Sequence, residues 1–278
     1  MRKVFLLLFC TALISITTNC NNNGDSGPSI IGAGNIKLNT KNVIPSVENR
    51  NETGVLELIL YSDNYLEFSI VIDNLSSSDQ LTEAYIYTGD PVSIGTPAIT
   101  LVDGTSTIFQ NNKVTGGRQL TDAEVAIITG DNVYVNVHSA EKPEGLVRGQ
   151  IDKIIEQAYN VTLSPQNIIP EITDREDHGM AILRVVKNEN GTSKLIYNVT
   201  VENLKPTDAI TNGYIRIGNT TQNGNILVDL DLTDASQLGS TKELDLEPSV
   251  NTKLKNDALY INLHSTDYED GLMRGQIR

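Results

Sequence analysis

Residues 132–151 read NVYVNVHSAEKPEGLVRGQI, and residues 258–277 read ALYINLHSTDYEDGLMRGQI. From His138 to His264 the interval is 126 residues, far longer than the period of a solenoid, so the chain carries a duplicated domain. In each copy an apolar-rich run ends in His-Ser and a polar loop containing a glycine follows. Leu-x-Arg-Gly-Gln-Ile then returns. This pattern predicts two antiparallel strands joined by a loop of about seven residues.

Side chains alternate along a strand, which gives the predicted hairpin two faces. Val133, Val135 and Val137, with Val147 and Ile151, form a core face; Leu259, Ile261 and Leu263, with Met273 and Ile277, repeat it. The other face carries Tyr134, Asn136, His138, Arg148 and Gln150 in the first copy. In the second it carries Tyr260, Asn262, His264, Arg274 and Gln276. Gly149 and Gly275 fall on the apolar face, where a missing side chain predicts close backbone approach or a bulge.

Tyr-x-Asn-x-His-Ser, an acidic loop, and Gly-Leu-x-Arg-Gly-Gln-Ile together resemble the C-terminal signature of the CHRD domain, named after chordin and found widely in microbial secreted proteins. The resemblance covers nearly all of the chain after about residue 34. It implies an extracellular β-sandwich or barrel module and no known reaction. CHRD domains often carry a His-x-His pair on a central strand of a sandwich similar to Cu/Zn superoxide dismutases. The corresponding strands here read Ala84-Tyr85-Ile86-Tyr87 and Gly213-Tyr214-Ile215-Arg216, so both His positions are replaced.

The N-terminus has Arg2 and Lys3 before an apolar run of 13 residues, VFLLLFCTALISI. This reads as a secretory signal peptide over residues 1–20, too short to span a bilayer. Cys20 ends it, and residues 21–34 form a polar tether. The cysteine predicts bacterial lipoprotein processing with diacylation of Cys20, although Thr17-Thr18-Asn19 departs from the usual preceding box. Ordinary cleavage would instead give a soluble secreted chain. Cys10 leaves with the signal, so no disulfide framework and no thiolate metal site are available to the folded part.

The expected fold is all-β: two tandem antiparallel Greek-key-like sandwich or barrel modules, 35–152 and 153–278, each with one short helix. Their starts align, NIKLNTKNVIPSVENRNETG against NVTLSPQNIIPEITDREDHG, pairing Gly54 with Gly179. Runs such as VLELILYS and LEFSIVID alternate as half-buried antiparallel strands do. Thr121 and Glu124 form a capping-box pattern that opens a helix to about residue 128, and 248–254 takes the same place in the second module.

The net charge is −14, and both modules are acidic, which argues against nucleic acid and against electrostatic adhesion to anionic lipid. The candidate site residues are Asn136, His138, Arg148, Gln150, Asn262, His264, Arg274 and Gln276. They read either as an anion- or carbonyl-recognition patch or as a network pinning the hairpin, with Arg148 paired to a carboxylate. The second reading is taken. Three histidines in the whole chain, one per signature and His178 in an acidic loop, cannot supply a three-imidazole site. No metal and no cofactor is expected. Calcium at residues 267–271 or 219–225 lacks an EF-hand spacing. Ser139 and Ser265 follow a His directly and so point to the opposite face, which removes a Ser–His dyad. The expected function is a non-catalytic, envelope-anchored binding or structural module. It would contact extracellular protein or glycan, and would touch the membrane only through its lipid. The alternative is an enzyme or ion-binding protein using the His/Arg face.

Overall fold

The computed structural model describes residues 27–45, 47–188 and 190–278. The signal-peptide and Cys20 expectations lie outside the described residues, as does the first part of the tether. The rest is antiparallel β-structure with two short α-helices, arranged as tandem modules in two compact units.

Unit 1 takes the described residues up to Thr40, then Arg50–Thr88 and Thr96–Asp152. Its strands are β1 (Ile30–Asn39), β2 (Thr53–Tyr61), β3 (Tyr65–Asp73), β4 (Leu81–Thr88), β5 (Thr96–Val102), β6 (Lys113–Gln119), β7 (Val133–Ser139) and β8 (Val147–Gln150). They form one sheet in the order β5-β4-β7-β8-β1-β2-β3-β6, so β7 inserts beside β4 after a Greek-key-like crossover. The sheet is nearly closed into a barrel. Arg118 on β6 donates to the Thr100 carbonyl on β5 at 2.9 Å, linking its two edges.

The alternation works as the sequence predicts. Leu66, Phe68, Ile70 and Ile72 of β3 are buried while Tyr65, Glu67, Val71 and Asp73 are exposed. Each such fully buried aliphatic side chain contributes about 1.5–3 kcal/mol. The expected helix is α1 (Asp122–Ile128), whose capping box is complete. Thr121 Oγ1 accepts from the Glu124 amide at 3.2 Å, and Glu124 Oε2 accepts from the Thr121 amide at 2.8 Å.

Unit 2 repeats the plan with β9 (Ile154–Leu163), β10 (His178–Lys187), β11 (Ser193–Glu202), β12 (Ile210–Ile217), β13 (Ile226–Asp229), β14 (Lys242–Leu246), β15 (Leu259–Ser265), β16 (Met273–Gln276) and the helix α2 (Pro248–Asn256). Its strands form two sheets, β14-β11-β10-β9 and β13-β12-β15-β16. A bridge between Ser164 and Arg274 joins them, as the Asn39–Arg148 pair joins β1 to β8. Unit 2 also includes Lys41–Asn49 and Gly89–Gly95. These segments supply Ile44 and Val92 to an apolar cluster with Ile182, Val186 and Ile196, which draws them into this unit.

The signature hairpin has the predicted strands and the seven-residue connection, 140–146 and 266–272. Its polar face is not a solvated one: every residue of β7 and β15 is buried. Gly149 and Gly275 mark close approach. A Cβ at Gly149 would sit 2.6 Å from the Lys37 carbonyl oxygen, and one at Gly275 would sit 2.4 Å from that of Thr162.

Candidate functional site

The signature Asn and His side chains point at the loop that closes their own hairpin. His138 Nδ1 donates to the Pro143 carbonyl at 2.7 Å, and Asn136 Nδ2 donates to the Glu144 carbonyl at 3.0 Å. With its proton on Nδ1, the imidazole presents a lone pair at Nε2. Tyr87 Oη donates to it at 3.1 Å. In unit 2, His264 Nδ1 donates to the Glu269 carbonyl at 2.5 Å, and Nε2 accepts from Asn262 Nδ2 at 2.9 Å. Both imidazoles are covered, with 6% and 8% of their surface exposed. Burial and the nearby Arg216 charge push His264 below the ordinary histidine range, so it is held neutral. Gly145 and Gly271, at φ 134° and 135°, lie against the Asn136 and Asn262 amides, where any Cβ would collide.

A second set of groups holds the same loop from the other side, and sequence reasoning missed it. Asp208 Oδ1 accepts from the Asp267 amide at 3.0 Å and from Thr266 Oγ1 at 2.8 Å, and Oδ2 accepts from Ser265 Oγ at 3.0 Å. Arg175, with a 1% exposed side chain, donates to Asp208 at 2.8 Å and to both oxygens of Asp177 at 2.6 and 2.8 Å. In unit 1, Asp79 accepts from Ser139 Oγ at 2.7 Å and the Glu141 amide at 3.0 Å, and Arg50 reaches Asp79, Glu52 and Glu141. Burial would raise Asp208, but the Asp267 amide and Arg175 overcome it and hold its carboxyl at about 2. Asp79 is likewise lowered against burial by Arg50 and the Glu141 amide. One signal was available in the sequence. Arg50 and Arg175 each stand four residues before the aligned Gly54 and Gly179.

The signature arginines take a third role. Arg148 lies over the Tyr134 ring at 3.5 Å and Arg274 over Tyr260 at 3.6 Å, a contact between cation and ring face. Arg274 also donates to Asn223 Oδ1 at 3.0 Å, to the Gln222 carbonyl at 3.1 Å and to the Asn219 carbonyl. Arg274 is thus held by an aromatic ring and the oxygens of the loop between β12 and β13. Gln276 Nε2 donates to the Gly218 carbonyl at the root of that loop at 3.0 Å. Gln150, like Arg148, is buried on β8.

The family model for the CHRD domain matches residues 35–151 and again residues 159–277. The chain belongs to the CHRD domain family. No curated protein and no solved structure matches the chain. CHRD domains are extracellular-type binding and structural modules.

In these two CHRD domains three of the four strand positions that resemblance assigns to His-x-His, Tyr85, Tyr87 and Tyr214, hold aromatic neighbours of the signature histidine, and the fourth holds Arg216. Tyr85 and Tyr214 meet His138 and His264 edge-on, at 5.6 and 5.1 Å between ring centres. The Tyr87 phenol occupies the His138 lone pair. His178 lies at the start of β10 and faces Glu202 at 3.2 Å. Among the described residues no three His, Cys, Asp or Glu side chains are grouped to hold a metal ion. Several of the oxygens weighed for calcium already face built-in cations. The Asn219 and Gln222 carbonyls accept from Arg274, the Gly224 carbonyl accepts from Arg216, and Asp267 faces Arg175.

Proposed function

We propose that this protein is a non-catalytic, exported module held at the cell envelope by a lipid on Cys20, with its two CHRD domains contacting extracellular protein or glycan. The observation that carries the reading is the engagement of both ring nitrogens of His138 and His264 inside the protein. A general base or metal ligand needs a lone pair that faces a ligand, whereas these imidazoles brace a loop. The anchor rests on the basic and apolar start of the chain and on Cys20 behind it. A diacylglyceryl cysteine supplies two acyl chains, enough for stable retention. The acidic charge favours neutral or cationic partners over nucleic acid.

Two measurements test this. Cys20→Ala should move the protein from the membrane to the soluble fraction, and equal retention of the variant would remove the anchor. The soluble chain, residues 21–278, should bind intact cells or their isolated surface glycans. Turnover of a surface substrate by that chain, abolished by His138→Ala without loss of thermal stability, would replace the binding module with an enzyme.

A further inference from the structure

The two units present the same sheet to opposite environments. Gly54 faces Leu38 and Gly179 faces Leu163, which fixes the equivalence of β2 with β10. Counting from them, Glu57 and Ile59 correspond to Ile182 and Arg184. Glu67, opposite Ile59, corresponds to Ile196, opposite Arg184. In unit 2 the outer face of these strands is buried: Ile182 is 8%, Val186 3% and Ile196 1% exposed, packed with Ile44 and Val92. Arg184, wholly buried, donates to the carbonyls of Asn42 and Tyr159 at 3.3 and 3.0 Å. In unit 1, Glu57 and Glu67 stand exposed at the positions of the two isoleucines.

The second repeat has counterparts of the covering segments. Residues 166–174 place Ile169 where the first repeat has Ile44, and residues 218–224 place exposed Thr221 where it has buried Val92. These counterparts contain Glu171 and Asp174 and no Lys or Arg. We infer that Glu57 and Glu67 stop a second copy of the chain from seating its 166–174 and 218–224 segments on unit 1 in the way that unit 2 seats Lys41–Asn49 and Gly89–Gly95. Such seating would bury two carboxylates with no cation from the incoming segments to pair them, beside two further carboxylates. Ile59 offers no donor for an incoming carbonyl such as that of Asn42, which Arg184 satisfies in unit 2. Without the acidic pair the contact would be head-to-tail and would continue from copy to copy instead of closing.

The experiment transplants the unit 2 face. Sedimentation velocity is run on residues 21–278, wild type and Glu57→Ile/Ile59→Arg/Glu67→Ile/Thr221→Val, from low micromolar concentration upward. The wild type should remain a monomer throughout. The variant should shift to faster species as concentration rises, and adding Ile169→Asp at the mating segment should return it to monomer. A wild type that itself associates head-to-tail would overturn the inference. So would a variant that stays monomeric, or one whose association is indifferent to Ile169→Asp, which marks unspecific adhesion. Circular dichroism of each variant checks that it is folded. If the fourfold variant unfolds, Glu57→Gln/Glu67→Gln replaces it, and a concentration-independent monomer for that pair also overturns the inference.

Discussion

Replacing Asp208 by Ala should weaken unit 2 more than any comparable change on its surface. The substitution strips acceptors from Arg175 Nη2, Ser265 Oγ, Thr266 Oγ1 and the amides of Ala209 and Asp267. Arg175 is left with Asp177 and a longer contact to Asp267 at 3.4 Å, its side chain 1% exposed. Removing one partner of a buried ion pair costs about 3–5 kcal/mol. Because Asp177 remains bidentate, the lower end applies, about 3 kcal/mol. For a unit of this size, each 1 kcal/mol lowers Tm by roughly 2–4 °C, so the unit 2 transition should fall by roughly 6–12 °C. Differential scanning calorimetry of the full chain reads this directly. A fall of less than about 2 °C would refute the assignment of Asp208 as the residue that ties the loop to Arg175.

Acid should act through the same groups. Asp208 titrates at about 2 in the folded chain against 3.8 ordinarily, a difference of about 2 kcal/mol. That stability is present above about pH 4 and is lost as pH falls toward 2, because the unfolded chain takes up the proton first. The Asp208→Ala variant should show a flatter decline over this window in pH-dependent unfolding. His264, lowered by burial, removes stability as pH falls below about 6.5, and its imidazole resonances should titrate with a midpoint below that of an exposed histidine. Gly275→Ala would place a Cβ 2.4 Å from the Thr162 carbonyl oxygen and should cost about 1–3 kcal/mol, measured by urea unfolding; a neutral result would contradict the close approach of β16 to β9.

Much of this architecture was legible because it rests on local rules. The period-two alternation of Leu66, Phe68, Ile70 and Ile72 places β3, and Thr121 with Glu124 places the start of α1. The repeated Gly149 and Gly275 announced a crowded corner. Less legible was the fate of the polar face of the hairpin. Alternation separates two faces but does not say whether the second meets water, and here Tyr134, Asn136 and His138 are covered. The Arg50 and Arg175 networks escaped for a different reason. Their carboxylates, Asp79 and Asp208, come from loops 29 and 33 residues away along the chain, and no strand period connects such positions. The surroundings of Arg274 were not legible either: a carboxylate is the usual partner of a buried arginine, whereas a ring and three loop oxygens satisfy it here. The inclusion of Lys41–Asn49 and Gly89–Gly95 in unit 2 likewise depends on a tertiary contact, through Ile44 and Val92, that no local pattern encodes.

In each repeat the polar face of the hairpin is spent on contacts inside the protein: Asn136, His138, Asn262 and His264 on the hairpin loop, Arg274 and Gln276 on the loop between β12 and β13. Thermal unfolding of Arg148→Ala and Arg274→Ala in the full chain tests that role. Arg274→Ala abandons the Tyr260 ring, Asn223 Oδ1 and the Asn219 and Gln222 carbonyls, and each such loss of a buried partner costs about 1–3 kcal/mol. Both variants should melt several degrees below wild type, and any loss of surface binding should track the unfolded fraction. Unchanged unfolding curves for both, with binding lost, would contradict the account and make the arginine faces the binding site.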